Sequence, residues 1–561
     1  MSGIDWIVLG LTMLVIVAYG AWKTRKNNNL ESYLKGNNSE GWATIGLSIM
    51  ATQASAITFL STPGQAYESG MGFVQFYFGL PLAMIFISVF ILPIYYKLKV
   101  YTAYQYLEQR FDVRVRAFTA FLFLVSRGLA AGITIYAPAI ILSTLLDWNL
   151  QLTCLIVGGL VIIYTVSGGS RAVSLTQKWQ MAVIMGGMFA AFYYVIQSFP
   201  SAVGFSEGID IAGKLGKMNV IDLSLDPRKK YTLLSGLTGG FFLFISYFGT
   251  DQSQVQRYLG GKSLTESRLG LMFNGLMKIP MQFFILMVGI MVFVSFQFNE
   301  APIIFNTSTT NIATQKNENL VQLESEYNLV HATKKEALTN WVANPESDFA
   351  PIETLQKEQD KLRSEYKEAM LVADENYVAK DSDYIFLTFV LKFLPNGLIG
   401  LLLAVIFSAA MSSTAGELNA LASTTTIDYY KKFWSKEDDD AKDLKVSKLL
   451  TIFWGFLAIG IALVAGLFEN LIQLVNILGS LFYGTILGVF LLAFFFKKVQ
   501  GNAALFAAFF GQILVLVLHA LTVYEVIELS YLLYNIIGST VVVLVGILLQ
   551  KLFFKSQTKL N

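Results

Sequence analysis

The sequence predicts an all-α polytopic membrane protein, and three observations lead there. Of 561 residues, 54% are hydrophobic and only 14% are charged, where a soluble chain carries roughly a quarter charged residues. Apolar runs recur from Trp6–Trp22 at one end to Leu529–Leu549 at the other. Each is about 20 residues long, enough to cross ~30 Å of hydrocarbon, and about thirteen such spans are expected. Lysine and arginine gather in alternate connections between the runs, as they do in inserted helical bundles.

The first run lacks a basic leader and a small-residue cleavage site, so it is expected to remain as a leading helix. The connection after it holds Lys23, Arg25, Lys26 and Lys35, and the one after the third span holds Lys97, Lys99, Arg110, Arg114 and Arg116. Connections of the same parity carry Arg171 and Lys178, then Arg257, Lys262 and Arg268, then a lysine group from Lys431 to Lys448. Lys497 and Lys498 follow, and then the tail lysines Lys551, Lys555 and Lys559. The opposite loops "DWNLQ" (147–151) and "LFENL" (467–471) carry none. The N-terminus is therefore expected outside and the C-terminus in the cytoplasm, in a plasma or bacterial inner membrane. Two segments on the expected outer side are long, about 200–231 and about 300–382. The second has helical periodicity with many charges, interrupted by "NPESDFAP", and reads as a helical hairpin outside the membrane.

Bulk chemistry narrows the function. A net charge of +2 speaks against nucleic acid as a partner, and one cysteine (Cys154) with two histidines (His331, His519) leaves no pattern for a transition-metal site. A P-loop, a GxSxG elbow and an HExxH helix are all missing, so neither a nucleotide nor an enzymatic reaction is expected. A sensor or a passive channel stands as a remote alternative to a carrier.

Polar residues at membrane depth are costly and mark cavities or packed partners. They concentrate in "SIMATQASAIT" (48–58), "SYFGTDQSQ" (246–254) and "FSAAMSSTAGELNALASTTT" (407–426), with Lys278 standing alone. With the leading span set aside, the first two stretches fall in spans 1 and 6, corresponding positions of two five-helix halves. Paired broken helices of this kind are the sequence pointer to a carrier's midplane site. Adjacent hydroxyls such as Ser412 and Ser413, with carbonyls freed by a helix break, supply the neutral oxygens a dehydrated hard cation takes.

Five stretches resemble one family: "ASAITFLSTPGQAYESG", "YTAYQYLEQRFDVRVR", "IIYTVSGGSRAV", "DQSQVQRYL" and "SSTAGELNALASTTTIDYY", in order from about Glu31 to Phe496. Together they are similar to the sodium/solute symporters, which carry sugars, sialic acid, iodide, vitamins and monocarboxylates. The resemblance implies a leucine-transporter-type inverted repeat of five plus five helices, with one leading and two trailing helices. It places the first repeat at 31–198 after a leading segment 1–30, and the second at 232–467 with the insertion 300–382. Two or three trailing spans at 468–550 and an inner tail at 551–561 follow.

The resemblance also implies a sodium site made of the carbonyls of Ala51, Ala54 and Ala409 and the hydroxyls of Ser412 and Ser413. Family members with an acidic residue on the ion path have it after a threonine, where this chain has Gln177 followed by Lys178, so one sodium per cycle is expected. Ser55 and Thr58 match positions that hold a carboxylate in the sialic acid carriers, and Phe73 matches their aromatic wall. Their arginine falls on Ala130. Tyr77 stands where sugar carriers have a glutamate, while Lys278 matches a lysine that contacts sugar. Tyr247 and Gln252 complete the candidate substrate residues. Lys278 is also read as a snorkelling side chain or a partner for Asp251. The expected activity is Na+-coupled uptake of a small organic solute, first an organic anion and second a neutral sugar or polyol, with the lipid bilayer as the surrounding partner.

Overall fold

The computed structural model describes residues 2–24, 33–34, 39–146, 148–226, 228–306, 317–373, 377, 379, 381–435, 439–465 and 471–554. Among these residues there are helices but no strand, only an isolated backbone bridge between Glu40 and Gly261. Helices answer the bilayer's constraint, because each satisfies its own backbone groups where water is absent. Ten are long and apolar enough to cross a membrane, which establishes an integral membrane protein. The expected count of about thirteen is not reached by this measure. Gly3–Ile16 and Leu150–Val166 are shorter apolar stretches, and Ala56–Leu98 runs half of a broken span together with the whole of the next.

In chain order, the leading helix is α1 (Gly3–Thr24). The first broken span is α2 (Trp42–Gln53) with α3 (Ala56–Ser69), followed by α4, built of Leu80–Phe86, a wider turn Ile87–Ile91, and Leu92–Leu98. The short α5 (Tyr104–Arg110), α6 (Val113–Leu146), α7 (Leu150–Gln197) and the short α8 (Phe205–Lys214) come next. The second broken span is α9 (Leu233–Thr250) with α10 (Gln252–Leu259), followed by α11 (Leu264–Phe298). The insertion holds α12 (Glu318–Ala343) and α13 (Ala350–Ala373). Helices α14 (Ser382–Phe393), α15 (Leu398–Thr424), α16 (Asp440–Ala462), α17 (Leu471–Phe495), α18 (Gly501–Val523) and α19 (Leu533–Leu552) complete the chain.

Both predicted breaks are present, and the second has a visible local cause. Between α2 and α3, Ala54 (φ −85°, ψ 74°) and Ser55 (φ −74°, ψ 174°) leave the helical region, and Ser55 takes the N-cap position of α3. Between α9 and α10, Asp251 (ψ 120°) turns out of the helix, and its Oδ1 accepts from Ser253 N at 2.8 Å and Ser253 Oγ at 2.6 Å, capping α10. In α7 the chain kinks at Gly169, whose φ of +61° suits a residue without Cβ. The leading helix is tied to the core by Asp5, which accepts from Gly397 N (2.6 Å) and Gly400 N (3.1 Å) at the positive N-terminus of α15.

The expected hairpin is α12 and α13, and it packs on the bundle instead of standing free. Leu320, Tyr327, Leu362, Tyr366 and Met370 form its own core with Ile303 and Ile304, while Trp341 and Phe349 join the main core. Asp381 clamps the base, accepting from Phe305 N (2.7 Å), Arg363 Nη2 (2.9 Å) and Lys367 Nζ (2.6 Å). A relay of polar groups docks the middle: Lys334 Nζ donates to Gln359 Oε1, the Gln359 amide donates to His331 Nδ1 (3.1 Å), and His331 Nε2 donates to Asn299 O (2.9 Å). Arg25, Lys26, Lys35, Asp147, Lys436, residues 467–470, Lys555 and Lys559, used above for orientation, lie outside the described residues.

Burial first, and the Lys334 ammonium second, push the His331 imidazole down to about 4 from its ordinary 6.5. A base weakened by folding stabilises the docked insertion above its unfolded pKa, and that contribution is lost as pH falls from 6.5 to 4. Lys334, pushed down to about 7, has already lost its share between 10.5 and 7 and changes nothing further in acid. Hydrogen-exchange protection of α12 and α13, corrected for intrinsic rate, is therefore expected to fall between pH 6.5 and 4.5 in the wild type. In His331→Gln it should stay level over that range.

Candidate functional site

Of the five expected sodium residues, the structure joins Ser412 to Ala51, while Ser413 and Ala409 are bonded within one helix and Ala54 lies at the break. Ala51, Ala54, Ala409 and Ser412 are fully buried, and Ser413 is 1% exposed. The Ser412 hydroxyl on α15 donates to the Ala51 carbonyl at 3.4 Å, across 361 positions of sequence. Ser413 Oγ donates to Ala409 O at 3.0 Å, one turn earlier on its own helix. Ala51 lies in the last turn of α2, where helical carbonyls lose their intrahelical donors. Gln177 on α7 stands beside this junction: its amide donates to Thr52 Oγ1 (3.0 Å) and Ser412 O (3.4 Å) and accepts from Ser48 Oγ. Neutral oxygens from two helices thus meet at the break, with a neutral amide where a carboxylate was looked for.

Past the break lies a cavity of about 90 Å³. Of the residues picked for substrate, Ser55, Thr58, Tyr77 and Tyr247 line it, with Gln53 and Asn476 as further polar groups. The N-terminal turn of α3 borders it and offers backbone N–H groups and the positive end of the helix dipole. Phe73 does not line the cavity. It packs behind Tyr77 with ring centroids 5.8 Å apart. Gln252 lies elsewhere, its amide bonded to Ala103 N (3.1 Å) and Tyr101 O (2.9 Å), where it ties α10 to the turn before α5. Lys278 is also outside the lining, fully buried on α11 with its ammonium 5.7 Å from the centre of the Tyr77 ring.

The charged residue that does face the cavity is Arg127, which the sequence reading passed over. Its guanidinium, on α6, lies 5.2 Å from the Tyr247 ring centre and donates to Asp251 Oδ2 (3.1 Å from Nε), Glu417 Oε1 (2.9 Å) and the Tyr483 hydroxyl. Tyr483 OH in turn donates to Asp251 Oδ2 at 3.0 Å, and Thr134 Oγ1 donates to Glu417 Oε2 at 2.9 Å. Asp251 therefore pairs with Arg127 and not with Lys278. A signal was present: one arginine at the middle of an apolar helix of 34 residues is by itself a site candidate.

The model of the family described as "Sodium:solute symporter family" matches residues 33–330 and 371–511. The chain belongs to that family. It is a family of transporters, not enzymes, and Na+ is its coupling ion. The symporter is 25% identical over 504 residues to sodium-coupled monocarboxylate transporter 2 of Mus musculus, covering 89% of this chain and 70% of the mouse protein. It is 25% identical over 553 residues to a sodium/sialic acid symporter of Aliivibrio fischeri, covering 98% and 93%. A solved Na+-coupled sialic acid symporter in a substrate-bound outward-open state shares the fold, with a TM-score of 0.76, 23% identity and 98% coverage of both chains. The leucine-transporter-type architecture expected above is thereby shown.

Removing Arg127 leaves two carboxylates buried without their cation, which costs on the order of 3–5 kcal/mol. Arg127→Met is expected to lower the unfolding temperature of the purified symporter markedly. The triple change R127M/D251N/E417Q should recover most of the loss, since no buried charge then remains, as thermal unfolding in detergent will show.

Proposed function

We propose that the symporter takes up one Na+ with one small organic anion by alternating access, with its N-terminus outside and its C-terminus in the cytoplasm. The repeats at 31–198 and 232–467 are the two halves that rearrange about the site. The Na+ is held by the carbonyls of Ala51, Ala54 and Ala409 and the hydroxyls of Ser412 and Ser413. The observation that carries this reading is the contact of Ser412 with the Ala51 carbonyl at the α2–α3 break, beside a cavity bordered by the positive end of α3.

The solute's carboxylate sits at Ser55, Thr58 and the first N–H groups of α3, with Arg127 opposite. Arg127 lines the cavity, and Asp251 and Glu417, which bond it, stand behind it outside the lining. Size supports a small acid: the cavity of about 90 Å³ has room for roughly six waters, little for a sugar acid. The mouse relative's monocarboxylate and the bacterial relatives' sialic acid both carry a carboxyl group. The aromatic wall of Tyr77, Phe244, Tyr247 and Tyr483 takes the apolar remainder. The same wall also suits stacking on a neutral sugar, which is the second reading.

Proteoliposomes with an imposed inward Na+ gradient test this. Labelled short-chain monocarboxylates are expected to accumulate above equilibrium with Na+ and not with K+, and equal uptake in both would end the coupling. Hexose accumulation without monocarboxylate accumulation would transfer the site to the second reading. Ser413→Ala removes one of about five or six oxygens and is expected to raise the half-saturating Na+ concentration several-fold while the solute's own half-saturation at high Na+ stays near wild type.

A further inference from the structure

A second cavity, of about 220 Å³, lies between the insertion and the bundle, away from the α2–α3 break. Four cations line it: Lys217, Lys334, Arg363 and Lys367. Three carboxylates stand near, Glu68 and Asp360 in the lining and Asp381 at the base, where it pairs with both Arg363 and Lys367. One positive charge is left over.

The excess is not spread over solvent. Lys334 is 1% exposed, and its ammonium donates to two neutral amide oxygens, Gln356 Oε1 (2.7 Å) and Gln359 Oε1. Lys217 Nζ donates to the Glu68 backbone carbonyl (2.6 Å) and stands 4.8 Å from the centre of the Phe293 ring. Arg363 keeps Nε buried without an acceptor among the described residues, while Nη2 holds Asp381. A buried ammonium with no carboxylate in contact is costly, and an unmade guanidinium hydrogen bond adds to that. Burial holds Lys334 down near 7 and lowers Lys217 as well, as expected of cations waiting for a counter-charge.

We propose that this cavity is a second binding site, which takes a small carboxylate between the ammonium of Lys334 and the free Nε–H of Arg363. A planar carboxylate has two oxygens for two donors, and Tyr67, Phe293 and Phe296 in the lining give its organic remainder an apolar wall. Lys334, Arg363 and Lys367 lie within 331–370, between the two segments that match the family, while Glu68, Lys217 and the aromatic wall lie within the first of those segments. Exposed Glu68, Asp360 and Ser364 in the lining leave it open to solvent. The site stands whether the central solute is an acid or a sugar, because none of its residues lines the central cavity.

The test is equilibrium binding of radiolabelled propionate to the full-length symporter in Na+-free choline–MES buffer at pH 6.5, where transport-site binding lacks its coupling ion. Saturable binding is expected in the wild type and in the charge-balanced triple variant R127M/D251N/E417Q. It should weaken at least tenfold in Lys334→Gln and in Lys217→Met. Lys334→Gln removes a buried charge without emptying its space, so its unfolding temperature should equal or exceed wild type, and a lower one would contradict the uncompensated charge. Absence of Na+-free binding in the wild type overturns the proposal, as does unchanged binding in both lysine variants. Displacement by choline chloride as effective as by unlabelled propionate would overturn the carboxylate class.

Discussion

A guanidinium in the middle of a membrane protein must find its counter-charges inside the protein, and Arg127 arranges four helices to do so. From α6 it reaches Asp251 at the α9–α10 break, Glu417 on α15 and Tyr483 on α17. Asp251 serves two structures at once. Its Oδ1 caps α10, and its Oδ2 holds Arg127 and Tyr483. The break in the second repeat therefore has its geometry fixed by an ion pair, since a helix that continued past Thr250 would carry this carboxylate elsewhere. Glu417 stands four residues, about one helical turn, beyond Ser413, so the acid that pairs with Arg127 lies on the same helix as the hydroxyls of the proposed sodium site.

Much of this was legible in the sequence, because its clearest signals are local. Polar residues in apolar spans located both breaks; at the second the cap is supplied by Asp251 itself, and at the first Ser55 holds the N-cap position. The hairpin periodicity of α12 and α13 was equally local. What escaped depends on azimuth and on distant partners. Lys278 and Tyr247 are both polar positions at membrane depth, yet one helix face puts Tyr247 in the cavity and Lys278 behind Tyr77. Gln252 lies one residue past the break, and the turn at Asp251 sends it toward Tyr101 and Ala103. Arg127 stands in an apolar stretch with only Ser126 polar beside it, so it belongs to no polar cluster in sequence, and its partners lie 124 and 290 positions away. The insertion's docking had no sequence signal either. Lys334 and Gln359 are 25 positions apart and His331 and Asn299 32, and neither pair forms a motif.

Gln177 shows how one neutral group changes a site without removing it. A carboxylate at this place adds a negative charge within reach of the junction. The amide keeps the hydrogen bonds that join α7 to α2 and α15, through Ser48, Thr52 and the Ser412 carbonyl, but brings no charge. The scaffold function of the position is retained, and its capacity to draw another cation is reduced. The stoichiometry of one Na+ per cycle proposed above rests on that difference between an amide and an acid of nearly equal shape.

The two halves of the first broken span both pack on α11 and α15, but their polar ties differ. Helix α2 is tied through Ser48 and Thr52 to Gln177 on α7, through Trp42 N to Glu266 on α11, and through the Glu40–Gly261 bridge to the loop after α10. Helix α3 shares α11, where a Cβ on Gly289 would lie 2.2 Å from Pro63 O, and has further ties of its own. Gly64 packs so closely on α14 that a Cβ there would lie 1.9 Å from Ser382 O, and Gln65 accepts from Gln473 on α17. A continuous helix would transmit any tilt of α3 to α2 and open both ends together. With Ala54 and Ser55 out of the helical region, each half can follow its own partners. Ala51 is then one of few groups of α2 that answer to an ion shared with α15. In the proposed cycle, a cation at that point stabilises those arrangements in which α2 and α15 approach each other. Binding energy at the proposed site is thereby spent on selecting a conformation, which is what coupling between an ion and a solute requires.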